Sequence, residues 1–159
     1  MNRILVRILS FSVVLILMVS LNSCSKDNGS ANRAAGEKFL EENGKRAGVI
    51  TTASGLQYEI LVASSAGTPP NSSTKVKVHY RGTLIDGTEF DSSIGGAPAE
   101  FYVSNVIKGW TEVLKLMLVG AKWKVYIPYS LGYGAEGLGD KIPPYSMLIF
   151  EIELLGIVN

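Results

Sequence analysis

Polar and apolar residues alternate with a period of two along much of the chain, and one such run frames the rest. Val76, Val78 and Tyr80 alternate with Lys77, His79 and Arg81, which predicts a strand with Tyr80 and the valines on its apolar side. Asp86-Gly87 supplies a positive-φ pair for a hairpin turn, and the chain returns as Thr88-Glu89-Phe90-Asp91. The return leg therefore brings an aromatic ring, Phe90, and a carboxylate, Asp91, to the wall that Tyr80 occupies. The same alternation predicts four more strands. Leu56, Tyr58, Ile60 and Val62 share a face, as do Phe101 and Val103 within Glu100 to Val103. Trp123, Val125 and Ile127 oppose Lys122, Lys124 and Tyr126, and Phe150, Ile152 and Leu154 oppose Glu151 and Glu153 within Met147 to Leu155.

Two stretches have helical spacing instead. Trp110, Val113, Leu114 and Met117 form one buried stripe, predicting a helix from Trp110 to Leu118 that Gly120 ends. Ala31 to Asn43 favours helix but offers mainly Phe39 and Leu40 as apolar surface, so it must dock on the domain or fray. Ala63 to Thr74, Ser92 to Ala99 and Pro128 to Pro144 read as loops. The fold class is α+β, an antiparallel sheet wrapped around one short helix with a short N-terminal helical extension.

The 159 residues leave room for one domain and an extension, divided here as residues 1–23, 24–48 and 49–159, with the core in 74–159. A formal net charge of +1 argues against nucleic acid as a partner. Residues 1–24 have the build of a secretory signal: Arg3 and Arg7, an apolar run from Ile8 to Val19, then Leu21-Asn22-Ser23-Cys24. That ending resembles a bacterial lipobox with Cys24 as the lipidated first residue of the mature protein. An ordinary cleaved signal and an uncleaved anchor are the alternatives. With a cysteine count of one, the chain forms no internal disulfide. No grouping of His, Cys and carboxylates suggests a metal or cofactor. His79 faces outward as a solvated strand residue, and Gly132 to Gly139 lacks the Lys and the strand-to-helix setting of a phosphate loop. Tyr133 lies in that glycine-rich loop, where a large ring has no packing reason to be, so its hydroxyl is a candidate for binding a substrate carbonyl.

Four blocks, VHYRGTLIDGTEFDSS, VIKGW, IPYSLGYG and KIPPYSMLIFEIELL, stand in order from about Thr74 to the C-terminus, preceded by GLQYEIL. Together they resemble the signature blocks of FKBP-type peptidyl-prolyl isomerases, in the manner of bacterial secreted members. The resemblance implies Tyr80 and Phe90 as pocket walls, Asp91 beside the reacting amide, Val106 and Ile107 at the rim and Trp110 as the floor. Tyr133, Ile142 and Phe150 complete the set. Read singly, Trp110, Phe90, Phe101 and Phe150 are core residues, and Asp91 with Ser92-Ser93 is a turn or cap. The implied activity is cis-trans isomerisation of X-Pro bonds in extracytoplasmic polypeptides. The alternative is a non-catalytic chaperone or peptide-binding module using the same pocket. The same resemblance implies macrolide inhibitors, the lipobox-like ending at Cys24 implies a lipid-anchored membrane location, and the Ala31 to Asn43 helix, shorter than those through which related secreted members dimerise, implies a monomer. The chain departs from the pattern at Ile94-Gly95-Gly96-Ala97, where many members carry an arginine, at Ala99, often aromatic, and at Leu138, often histidine. These departures bear on substrate preference and drug affinity.

Overall fold

The computed structural model describes residues 28–158, so the signal-like segment, Cys24 and the start of the tether lie outside the described residues. Seven strands and two α-helices follow one another as α1 (Asn28–Asn43), β1 (Val49–Thr51), β2 (Gln57–Val62), β3 (Lys75–Thr83), β4 (Glu89–Ser92), β5 (Ala99–Tyr102), α2 (Lys108–Leu114), β6 (Lys122–Ile127) and β7 (Leu148–Val158). The strands pair antiparallel in the order β1-β2-β6-β7-β3-β4, and β5 shares with β4 the free edge of β3. Among the described residues no helix is long and apolar enough to cross a membrane.

One face of the sheet closes over α2. Val76, Val78 and Tyr80 of β3 meet Val125 and Ile127 of β6, Ile152 and Leu154 of β7, and the helix stripe Trp110, Val113 and Leu114. Each such side chain contributes about 1.5–3 kcal/mol on burial. The helix is shorter than its apolar stripe, because its α-helical run stops at Leu114 and Met117 reaches the core from the turn that follows. The amide of Met117 donates back to Val113 O at 3.1 Å.

Three expectations from the sequence are corrected. The β3–β4 turn contains one positive φ, at Gly87 (87°), and none at Asp86. Gly87 N donates to Leu84 O and Leu84 N to Thr88 O, giving a wider turn that Gly87 closes in the left-handed region. Ile60 and Val62 share the predicted face but are 47% and 50% exposed, because β2 carries a register shift between them. Leu56 at the start of that face is fully buried, and Tyr58 packs on Trp123, stacked with ring centroids 4.4 Å apart. Finally, Tyr126 is buried despite facing away from the core, because α1 covers it.

Helix α1 starts at Asn28, three residues earlier than Ala31, and it docks. Phe39 packs on Tyr126 at 5.7 Å, and Asn32 Nδ2 donates to Pro144 O at 3.0 Å. Its C-terminal end is held by a buried polar cluster in which Asn43 Nδ2 donates to Gln57 Oε1 (2.9 Å) and Gln57 Nε2 donates to Leu40 O (2.8 Å). Arg46 extends the cluster to Asn43 Oδ1 and to Glu59, which also accepts from the Tyr126 hydroxyl. A buried donor or acceptor left unpaired costs roughly 1–3 kcal/mol. Gln57→Leu is therefore expected to lower unfolding free energy by about that amount, read from denaturant midpoints at constant m-value. An unchanged midpoint would show that the α1 cluster contributes nothing net.

Candidate active site

At the edge where β3, β4, β5 and the start of α2 converge, the rings leave an open cavity of about 330 Å³. Its floor is Trp110, 4% exposed, in the first turn of α2. Tyr80 and Phe150 come from adjacent strands β3 and β7, with ring centroids 5.2 and 5.3 Å from Trp110 and ring planes near perpendicular. Phe90 of β4 meets Phe150 edge-on at 5.4 Å, and Phe101 of β5 meets Trp110 edge-on at 5.8 Å. Edge-to-face contacts of this kind hold rings at fixed angles, so the cavity keeps its shape without a filler. Val106, Ile107 and Asn105 form the rim on the approach to α2, and Tyr133 enters from the loop after β6.

The backbone of β3 permits this closure at one residue. A Cβ on Gly82 would lie 2.7 Å from Phe150 Cε1 and 2.7 Å from Phe90 Cζ, so a side chain there would force the two rings apart. The Tyr-Arg-Gly run thus sends one ring into the cavity and leaves room for two others.

Polar groups are few and unevenly engaged. The Tyr80 hydroxyl donates to Asp91 Oδ2 at 2.7 Å, while Asp91 Oδ1 accepts the Ser92 N–H at 3.0 Å. The Tyr133 hydroxyl has no hydrogen-bond partner among the described residues. Trp110 Nε1 is buried with no polar partner, its ring enclosed by the aromatic faces just described. Burial, and then the hydrogen bond to Asp91, push the Tyr80 phenol far above its usual value. Burial, with the Asp91 charge second, raises the Tyr133 phenol. Both therefore stay protonated donors throughout the neutral range.

This arrangement predicts a split alkaline titration. Of seven tyrosines, Tyr80, Tyr133 and the buried Tyr126 are expected to ionise late when tyrosinate absorbance is followed upward in pH. Raised folded-state values mean that this part of the stability is complete below the ordinary phenol value and is lost as pH climbs through the folded ones. A single transition of all phenols near pH 10 would contradict the burial described.

Of the residues singled out from the sequence, Tyr80, Phe90, Asp91, Val106, Ile107, Trp110, Tyr133 and Phe150 line one cavity. Ile142 does not: it is 1% exposed and packs within the hydrophobic core. Its main-chain oxygen nonetheless shapes the loop, accepting from Leu138 N at 2.8 Å. Phe101 and Asn105 line the cavity unannounced. Phe101 was legible from its strand alternation, whereas Asn105 ends the short 3₁₀ turn Val103–Asn105 and has no pattern to mark it. His79 is half-buried, with Nδ1 3.1 Å from Ser93 Oγ, and is not a freely solvated side chain. Among the described residues no group of His, Cys, Asp or Glu is arranged to hold a metal ion.

Comparison with known proteins adds an independent line. A family model described as FKBP-type peptidyl-prolyl cis-trans isomerase matches residues 67–155, and one described as the domain amino terminal to it matches residues 15–60. A 22 kDa FKBP-type peptidyl-prolyl cis-trans isomerase of Escherichia coli K12 is 53% identical over 129 residues, covering 80% of this chain and 62% of its own length. The outer membrane protein MIP of Legionella longbeachae is 44% identical over 142 residues, covering 89% of this chain and 60% of its own. The chain thus spans about three-fifths of these two relatives. A crystal structure of a peptidyl-prolyl cis-trans isomerase from Pseudomonas syringae pv. tomato DC3000 superposes with a TM-score of 0.78 at 36% identity. That match covers 85% of this chain and 99% of that one.

Proposed function

Because the chain belongs to the FKBP-type peptidyl-prolyl cis-trans isomerase family, we propose that it catalyses cis-trans isomerisation of X-Pro bonds in polypeptides. The observation that carries this reading is the cavity of about 330 Å³, walled by rings and holding one phenol, Tyr133, with an unused donor. Rotation about an amide meets a barrier of about 18–20 kcal/mol, and X-Pro bonds therefore exchange over tens to hundreds of seconds. No bond to carbon breaks, so the site needs no nucleophile.

The planar amide is more charge-separated than the twisted one. Moving it from water into the Trp110, Phe90 and Phe150 box disfavours the planar form relative to the transition state. Tyr133 donates to the carbonyl before Pro and fixes one side of the bond while the other turns. Asp91, held by Tyr80, orients the peptide and moves no proton, because the reaction has no net proton transfer. Lowering the barrier by about 7 kcal/mol corresponds to roughly a 10⁵-fold acceleration. Macrolides bearing an apolar, proline-like ring would compete for the same cavity.

The protein acts outside the cytoplasm, tethered through a lipidated Cys24, as a monomer whose α1 is occupied against its own domain. The lipobox-like Leu21 to Cys24 and a relative named as an outer membrane protein support this location. Two acyl chains or more, at about 0.8 kcal/mol per buried methylene, make such an anchor durable.

Proline-limited refolding of a client protein tests the activity: catalytic amounts of this chain are expected to speed the slow phase, and an unaltered slow phase would oppose the reading. Cys24→Ser is expected to move the protein from the membrane fraction to the soluble one; retention in the membrane would reject the lipid anchor.

A further inference from the structure

Strand β3 loses its regular ladder partner beside Tyr80. On that edge β4 pairs as far as Arg81↔Ser92, and β5 begins at Val78↔Ala99. Ser93 occupies the gap. Its N–H donates to Tyr80 O at 2.9 Å, as a strand residue's would, but its own carbonyl accepts the Gly96 N–H in the turn that follows. The return bond is made by the side chain instead: Tyr80 N–H donates to Ser93 Oγ at 2.9 Å. Ser92 Oγ adds a second donor to Tyr80 O at 3.3 Å, and Ser93 Oγ lies 3.1 Å from His79 Nδ1.

We infer that Ser93 is a positioning residue for the pocket: its hydroxyl replaces the missing ladder carbonyl and locks the Tyr80 backbone to the end of β4, where Asp91 holds the Tyr80 phenol. The two ends of Tyr80 are thereby tied to residues two apart in the chain, the hydroxyl to Asp91 Oδ2 in β4 at 2.7 Å and the backbone to Ser93 just past the strand's end. A ring that is fixed at both ends cannot slide along its neighbours, so the wall it forms and the carboxylate it holds keep their spacing. A slip of the Tyr80 backbone would be passed along the stiff side chain to Asp91. The competing account is a serine that merely caps a turn and affects stability alone.

This inference rests on reading the cavity as an isomerase site, and the test is built so that the two fail separately. Ser93→Ala in the full chain is expected to lower kcat/KM on an X-Pro peptide by roughly tenfold, and Ser93→Thr, which keeps the oxygen, to restore most of that loss. In Ser93→Ala one late-titrating phenol is also expected to ionise earlier, a change that a stability-only serine does not produce. Wild-type kcat/KM together with wild-type phenol titration in folded Ser93→Ala would overturn the inference, as would equal losses in the Ala and Thr variants. Should the unmodified protein fail to isomerise any peptide, the function falls and the phenol titration still decides the role of Ser93. Should Ser93→Ala not fold, amide exchange in the unmodified protein decides it: a slowly exchanging Tyr80 N–H is expected, and rapid exchange refutes the bond.

Discussion

Asp91→Val is expected to lower kcat/KM on an X-Pro peptide by roughly 10- to 100-fold while leaving the protein folded. The magnitude follows from the bond that disappears. Hydrogen bonds to charged groups contribute about 1.5–3 kcal/mol, and each 1.36 kcal/mol is tenfold in rate. Valine keeps the approximate volume but leaves the Tyr80 hydroxyl, now without its acceptor at 2.7 Å, facing an apolar wall. It also removes what is, among the described residues, the only carboxylate lining the cavity. Asp91→Asn retains an acceptor and should lose less. Wild-type kcat/KM in a folded Asp91→Val protein would remove this residue from the site's workings.

Gly82→Val should do more damage, by a steric route. A Cβ alone would stand 2.7 Å from atoms of both Phe90 and Phe150, and the two methyls of valine have nowhere to go. Overpacking of this kind costs about 1–3 kcal/mol, and here the displaced atoms are the walls of the cavity itself. Peptide binding is expected to fall below detection, with a melting temperature several degrees lower (about 2–4 °C per kcal/mol for a chain of this size class). Chemical-shift mapping with an X-Pro peptide checks the first and calorimetry the second. Normal binding with normal stability would mean that the rings yield freely and that the cavity is not preformed.

What the sequence disclosed divides along a physical line. Residues whose environment is set by their own strand were readable: Val76, Val78 and Tyr80 in β3 and Phe150, Ile152 and Leu154 in β7 alternate because both strands have one covered face. The helix stripe from Trp110 to Met117 was readable for the same reason, although the helix ends at Leu114 and the turn carries Met117 inward. Residues whose environment is set by a distant segment were not. Tyr126 is buried by α1, nearly ninety residues earlier in the chain, and alternation alone places it in water. Ile60 and Val62 have the right periodicity but lie at the irregular end of β2.

The candidate site shows the same division. The aromatic walls can be suspected from the strands that carry them, yet no local pattern indicates that Gly82 leaves the gap that they close around. Tyr133 could be flagged as an aromatic without a packing reason, and it enters the cavity with its hydroxyl unused. Ile142, by contrast, answers to the core, where it is buried with the hydrophobic cluster. Ser93 was readable only as a turn residue, because its bond to Tyr80 fills a gap in pairing that depends on where β4 stops and β5 starts.

If the ring-lined cavity lowers the barrier to turning an X-Pro bond, the protein speeds exchange between the two isomers. Exchange spectroscopy by NMR on a short X-Pro peptide, with the full chain added at a small fraction of the peptide concentration, measures this directly. Cis-trans cross-peaks are expected to appear on addition of the protein and to weaken sharply with Asp91→Val. Unaccelerated exchange, with the peptide's shifts unperturbed and the protein folded, would contradict it.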